Sequence, residues 1–233
     1  MLKRRPVVEK KLQFSDAQIT AIKHRGRPLI ITGGPGSGKT TVLIEAAIAR
    51  IKEGQDPNSI LVLTFGRERA SEIRDAIALR TSQTMLEPLA RTFHALAFSI
   101  LKAESHNPIL LSGPEQESWI RQLVDGVEWP KELQPALHTR GFVRELRDLI
   151  LRATERGWTF QDLEKNGQKY QEEFWVAASK FWKSYVGTLI LVDADHGEPK
   201  ERLDSAELVW RAAQATNKAF RNQFKTILVD EFQ

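Results

Sequence analysis

The 233-residue sequence has no cysteine, only five histidines and no long apolar run. Without cysteine the chain can form no disulfide, thiolate zinc site or cysteine nucleophile, and this composition fits the reducing cytoplasm. The histidines show no metal-ligand spacing. No stretch approaches the roughly 18 apolar residues of a membrane span, so we expect no membrane partner. The basic residues near the N-terminus precede no apolar segment, so we expect no secretory signal.

Charge and aromatic content divide the chain into two parts. Residues 1–111 carry 17 Lys and Arg against 10 Asp and Glu, whereas residues 112–222 carry 16 against 18. The basic part is where a polyanionic partner would bind, although an ordinary solvated surface also explains this charge. All six tryptophans lie in 112–222, which predicts a separate apolar core there.

Apolar patterning predicts strands alternating with helices, and then a helical stretch. Strands are predicted at 29–32, 60–64 and near 89–92, and helices at 15–24, 39–53, 67–80 and 93–102. Four more helices (115–125, 140–156, 170–186 and 204–221) precede a buried strand at 226–229. The predicted fold class is α/β, with a parallel sheet covered by helices on both faces. The core comprises 1–111 and 223–233, and a helical insert occupies 112–222.

A glycine-rich segment predicts a phosphate-binding loop. Residues 33–40, Gly-Gly-Pro-Gly-Ser-Gly-Lys-Thr, match G-x-x-x-x-G-K-[ST] between a predicted strand and a predicted helix. The glycines let successive N–H groups point into one concavity, and the helix adds the positive end of its dipole. Lys39 would reach the β- and γ-phosphates, and the Thr40 hydroxyl would bind Mg²⁺. We therefore predict ATP and Mg²⁺ as ligands, held by Gly33, Gly34, Pro35, Gly36, Ser37, Gly38, Lys39, Thr40 and Thr41.

A P-loop enzyme also needs a metal-binding carboxylate at the end of a buried strand. Two apolar segments end in aspartate, at Asp193 and at Asp230. Only Asp230 is followed by a second acid, Glu231, which can position and deprotonate an attacking water. We therefore predict Asp230 as the metal ligand and Glu231 as the catalytic base, and we place Asp193 and Asp195 in a polar loop of the insert.

With both motifs in place, the chain resembles the UvrD/Rep-type superfamily 1 DNA helicases, whose motor core is a RecA-like P-loop fold. Residues 14–18, Phe-Ser-Asp-Ala-Gln, look like the family's glutamine motif, which implies that Gln18 reads the adenine edge. Ser15 and Gln18 also form a capping-box pattern, and the two roles can coexist. Residues 230–233, Asp-Glu-Phe-Gln, match the family's Asp-Glu-x-Gln box, which adds Gln233 to the catalytic residues.

The resemblance also implies contacts with single-stranded DNA. The segment 63–65, Leu-Thr-Phe, looks like a DNA-contacting strand end, but Gly-Arg-Glu at 66–68 replaces the family's common Thr-Asn-Lys. Arg67 or Arg69 is then the candidate for binding DNA phosphate. Residues 92–94 match a Thr-Phe-His element that touches single-stranded DNA in the family. Core packing is the alternative role for Phe65 and Phe93. The predicted DNA-binding residues are Thr64, Phe65, Arg67, Thr92, Phe93 and His94.

By this resemblance the intact protein would be a cytoplasmic helicase of DNA repair that couples ATP hydrolysis to movement on single-stranded DNA and unwinds duplex junctions. In the family an arginine finger comes from a second motor domain, which this sequence lacks. We therefore expect that a second domain or a separate partner protein is missing, that a sheet edge is exposed, and that this chain alone hydrolyses ATP very slowly. Two alternatives stay open: a non-catalytic DNA- or partner-binding remnant, and a P-loop kinase for a small molecule.

Overall fold

The computed structural model describes residues 12–81, 89–104, 107–194, 200–215 and 222–232, with only the backbone of residues 193 and 194. The chain divides into two compact units, a first unit of 1–92 with 222–233 and a second unit of 93–221. In chain order the elements are α1 (Asp16–Lys23), α2 (Lys39–Lys52), β1 (Ile60–Thr64), α3 (Arg67–Thr81), β2 (Ala90–Thr92), α4 (Phe93–Ala103), β3 (Pro108–Leu110), α5 (Gly113–Leu123), α6 (Arg140–Glu155), α7 (Phe160–Tyr170), α8 (Glu173–Ala194), β4 (Glu201–Leu203), α9 (Ser205–Ala215) and β5 (Thr226–Val229).

A three-stranded parallel sheet forms the centre of the first unit. β1 lies between β2 and β5, with Val62 opposite Ala90 and Leu61 opposite Ile227. All five residues of β1 are buried, as is typical of a central strand of a parallel sheet whose faces are covered by helices. Apolar side chains of α2 and α3, such as Ile48 and Ile73, pack with β1 in one core. The predicted parallel sheet is therefore confirmed, with three of its four predicted strands.

The apolar run at 29–32 does not form the predicted buried strand. Ile30 is 71% exposed, and no backbone hydrogen bond joins this run to a strand within the described residues. β5 is also less buried than predicted, since Ile227 is 58% exposed. β5 is one of the two outer strands of the sheet in the described part of the chain. An apolar run forms a ladder only where a neighbouring edge pairs with its N–H and C=O groups, and β5 does not provide that pairing here.

The second unit has its own aromatic core, as the tryptophan distribution predicts. Trp129 packs edge-on against Phe142 with ring centroids 5.1 Å apart, and its indole N–H donates to the Val124 carbonyl at 2.7 Å. Trp182 is buried in the same cluster. Trp210 on α9 is the exception, since nearly half of it is exposed and it lies outside the cluster.

The helices of the second unit differ from the prediction in one region. The predicted helix at 170–186 corresponds to α8, which begins at Glu173 and runs on to Ala194, and α7 before it was not predicted. Its buried residues recur with helical period through Phe181, Tyr185 and Leu189, so the apolar run at 189–192 continues a helix. Asp193 therefore lies on a helix and not in the predicted polar loop. Asp195 falls outside the described residues. Among the described helices, none is long and apolar enough to cross a bilayer.

Residues 93–111 belong to the second unit, whereas the sequence-based partition assigned them to the core. α4 packs on α9 through a small cluster that includes Ala97, Leu101, Leu208 and Ala212. β3 pairs in parallel with β4, a two-stranded sheet that the sequence pattern did not predict. The functional partition into a motor core and an accessory insert stays a prediction.

An acidic pair in the second unit, buried Asp204 and partly buried Glu207, predicts pH-dependent stability. Asp204 caps α9 by accepting the Glu207 backbone N–H at 2.7 Å, and Arg211 donates to the Glu207 carboxylate at 3.0 Å. Burial, and then the charge of Asp204, raise the pKa of Glu207 from 4.5 to about 7. Because the folded pKa lies above the unfolded one, the stabilisation is fully present below pH 4.5 and is lost as the pH rises through about 7.

Between pH 4.5 and 7 the free energy of unfolding should fall less in Glu207→Gln than in the wild type, by about 1–3 kcal/mol. The measurement is urea unfolding between pH 4.5 and 7 followed by tryptophan fluorescence, which reports the second unit because all six tryptophans lie in it. Glu145→Gln, at an exposed position of α6, is the matched control. A Glu207→Gln protein with the wild-type pH dependence would contradict the assignment.

Candidate nucleotide site and DNA-binding segment

The loop that leads into α2 has a backbone that requires glycine. Gly36 and Gly38 have φ of 75° and 82°, a region that residues with side chains rarely adopt. At Gly33 a Cβ atom would lie 2.7 Å from Ser37 Oγ. Gly36 and Gly38 therefore have a conformational role as well as a place in the motif, and Gly33 lies where a side chain would crowd Ser37.

Lys39 and Thr40, at the start of α2, make contacts with the loop and with Asp230. The Lys39 ammonium donates to the carbonyl oxygens of Gly33 and Gly34 at 2.8 and 3.0 Å, so it folds back over the loop. The Thr40 hydroxyl donates to Asp230 Oδ1 at 3.0 Å. This contact joins residues 190 positions apart in the chain and supports Asp230 over Asp193 as the partner of the loop.

The sheet holds Asp230 at this position. The Asp230 backbone N–H donates to the Leu63 carbonyl at 2.8 Å, which extends the pairing of β5 with β1 by one residue. The Asp230 side chain is buried, and a buried carboxylate needs hydrogen-bonding or charged partners. The next residue, Glu231, has φ of 55°, an uncommon conformation for a residue with a side chain that costs about 1 kcal/mol and recurs at functional sites.

An open pocket of about 500 Å³ lies beside these residues. Its lining contains most of the predicted loop residues together with Glu231, and it adds Ile44 and Arg69, which were not predicted for a nucleotide site: Pro35, Gly36, Gly38, Lys39, Thr40, Thr41, Ile44, Arg69 and Glu231. The sequence had indicated Arg69 only as a candidate for binding DNA phosphate. One feature of the sequence could have indicated Arg69 as a pocket residue: it lies in the first turn of the helix that follows β1. Ligands of parallel sheets bind beyond the carboxyl ends of the strands.

Gln18 contacts the phosphate loop. Its side-chain carbonyl accepts the Ser15 backbone N–H at 2.9 Å, and its amide donates to the Ser37 carbonyl at 3.1 Å. The capping box is therefore confirmed, with Ser15 Oγ accepting the Gln18 N–H. The adenine-reading role stays a prediction. Gln233 lies outside the described residues.

The predicted DNA-binding residues fall into three environments. Thr64 and Thr92 are opposite each other in the sheet, and both are buried. Phe65 is 63% exposed, and Arg67 is also exposed. Phe93 and His94 begin α4 of the second unit and are half-buried. The accessible part of the predicted segment in the first unit is thus Phe65 and Arg67.

A comparison with known families identifies the family of this chain. The model of the UvrD/REP helicase N-terminal domain matches residues 14–233. The chain belongs to this family. The resemblance predicted from the motifs is confirmed.

Curated relatives of this UvrD/REP domain are DNA helicases. DNA helicase IV of Escherichia coli (strain K12) is 28% identical over 247 residues, which cover 94% of the chain and 36% of the relative. ATP-dependent DNA helicase Rep of Buchnera aphidicola subsp. Baizongia pistaciae is 24% identical, with 94% and 32% covered. An ATP-dependent helicase/nuclease protein of Latilactobacillus sakei is 38% identical over 34% of the chain and 9% of the relative. The chain thus spans about a third of the length of the first two relatives.

Membership in the UvrD/REP helicase N-terminal domain family weighs against both alternatives. The relatives are helicases, which does not favour a small-molecule kinase or a non-catalytic remnant. Two of them are named as ATP-dependent enzymes, in agreement with the loop that defines the pocket.

Proposed function

We propose that this chain is the ATP-binding part of a DNA helicase, and that Mg²⁺ and ATP bind in the pocket lined by the loop, Thr40 and Glu231. The observation that carries the proposal is the 3.0 Å contact between Thr40 Oγ1 and Asp230 Oδ1, with Glu231 lining the same pocket. A RecA-like fold for the first unit is part of this proposal. In the whole protein, a second motor domain or a separate partner protein completes the motor.

The residues present fit Mg²⁺ and a nucleoside triphosphate. A hydroxyl and a carboxylate, from Thr40 and Asp230, are the hard oxygen ligands that Mg²⁺ prefers. The loop backbone and the start of α2 form an anion-binding concavity. An ion held by Thr40 and Asp230 would supply positive charge against the charge that develops on the phosphates.

The chain's own residues then have distinct tasks. Lys39 exchanges the carbonyl oxygens of Gly33 and Gly34 for phosphate oxygens, which satisfy the same ammonium donors. Glu231 orients the attacking water and accepts its proton. Gln18, which already contacts the loop through Ser37, offers its amide to the adenine edge.

Single-stranded DNA is the proposed polymer substrate, and duplex junctions are the proposed site of unwinding. Exposed Phe65 directly follows β1, and exposed Arg67 begins α3. An aromatic face under a base and a cation along the phosphates are the two elements of single-strand binding. Phe93 and His94 are further candidate contacts on the second unit.

We expect weak DNA binding by this chain, with a salt dependence set by few phosphate contacts. For single strands the slope of log affinity against log salt is roughly −0.7 per phosphate neutralised, so two or three contacts predict a slope of roughly −1.4 to −2.1. Arg67→Ala should flatten the slope by about 0.7. Phe65→Ala should weaken binding at least about fivefold without changing the slope, because stacking is not ionic.

The measurement is fluorescence anisotropy of a labelled oligothymidylate across a salt series that starts at low ionic strength. Lys52→Ala is the charge-matched control, because Lys52 is an exposed cation at the last position of α2, the helix that the phosphate loop opens. Equal slopes for Arg67→Ala and Lys52→Ala, or no binding in low salt, would count against the DNA-binding assignment.

A further inference from the structure

Arg69 brings a second cation into the nucleotide pocket from α3. Its Nε lies 3.6 Å from Asp230 Oδ2, and its Nη1 lies 3.0 Å from Glu72 Oε2. The side chain is 47% exposed, so core packing does not fix its position, and exposed ion pairs of this kind are weak. Arg69 is therefore a cation at the pocket that can move when its partners change.

The partner that can change is Asp230. This buried carboxylate contacts the Thr40 hydroxyl on one side and the Arg69 guanidinium on the other. Under the proposed function, Asp230 and Thr40 also hold Mg²⁺, and a divalent cation and a guanidinium compete for one carboxylate. With Mg²⁺ held by these two residues, the γ-phosphate of a bound triphosphate would be the anion added nearest to Asp230.

We propose that Arg69 is a γ-phosphate-binding residue, paired with Asp230 in the absence of triphosphate and transferred to the γ-phosphate when ATP binds. The inference rests on the function proposed above. The planar guanidinium offers donors in a fork that matches two phosphate oxygens. ADP has no phosphate at that position, so Arg69 gives the pocket its preference for ATP over ADP. Lys39, in contrast, contributes to the binding of both nucleotides.

The test compares two nucleotides in the same set of variants. Fluorescent ADP and a fluorescent ATP analogue with a non-hydrolysable β,γ-imido bridge are titrated with Mg²⁺ into the full chain. We expect Arg69→Ala to lose about tenfold or more in affinity for the triphosphate and to keep or slightly increase its affinity for ADP. Arg69→Lys keeps the charge without the fork and should fall in between. Arg74→Ala is the control, since Arg74 lies on the same helix, bonds to Ser71 and does not line the pocket.

The outcomes separate this inference from the function on which it rests. If Arg69→Ala and Arg69→Lys weaken ADP and triphosphate equally, or weaken neither, the γ-phosphate assignment is overturned, provided that Lys39→Ala still weakens both nucleotides. If Lys39→Ala weakens neither nucleotide, the proposed nucleotide site itself is wrong. Circular dichroism shows whether each variant is folded. If Arg69→Ala is unfolded, Arg69→Lys still tests the assignment.

Discussion

Replacing Lys39 with alanine is expected to weaken ATP binding by more than tenfold, which corresponds to about 1.4 kcal/mol or more. The Lys39 ammonium lies over the loop and donates to two of its carbonyl oxygens, where the β- and γ-phosphates of a bound nucleotide would lie. A charge-assisted hydrogen bond to phosphate is roughly twice as strong as a neutral one, and alanine can supply neither the charge nor the donors. The loop backbone and the dipole of α2 remain, so some binding should persist.

The measurement is a titration of the chain with a fluorescent ATP analogue in the presence of Mg²⁺. Lys52→Ala is a close control, because it removes the same charge from the exposed last position of the same helix. The control should bind like the wild type. Equal affinities of the Lys39→Ala and wild-type proteins would show that the loop does not bind the nucleotide as proposed.

Hydrolysis by this chain alone is expected to be very slow, far below about 1 s⁻¹, even with single-stranded DNA. In the proposed mechanism Asp230 and Glu231 would supply only the metal-binding and water-orienting half of the chemistry. Negative charge also develops on the γ-phosphoryl oxygens, and an arginine finger that stabilises it contributes about 10³–10⁵ in rate in P-loop enzymes. In the family that finger comes from the second motor domain. Arg69 belongs to the same unit as the loop, so it can distinguish nucleotides without the domain closure that unwinding needs.

Steady-state phosphate release with and without single-stranded DNA measures this turnover. Glu231→Gln is the blank, because it keeps the size of the side chain and removes the base, and it should still bind ATP. A rate near or above about 1 s⁻¹ that disappears in the blank would contradict the expectation. If Arg69→Ala also abolished that rate, Arg69 would be a finger supplied within the chain.

Local signals in the sequence determined the phosphate loop and the first helix. Gly36 and Gly38 have backbone conformations that few other residues adopt, and Ser15 with Gln18 is a capping pattern complete within four residues. The choice of Asp230 over Asp193 also rested on a neighbouring residue, because only Asp230 is followed directly by a second acid, Glu231. The family followed from the order of these motifs along the chain, and the family comparison bears it out.

Tertiary structure alone decided which distant groups meet and which apolar runs become strands. Residues 29–32 and 189–192 are both short apolar runs, yet the first is exposed and forms no regular element, whereas the second lies in the last part of α8. An apolar run becomes a strand only where a neighbouring edge pairs with it. Arg69 reaches the nucleotide pocket because β1 and β5 pair in a register that brings Asp230 beside the start of α3. The residues near Arg69 in the chain do not predict that register, because it is set by hydrogen bonds and packing between segments more than 160 positions apart.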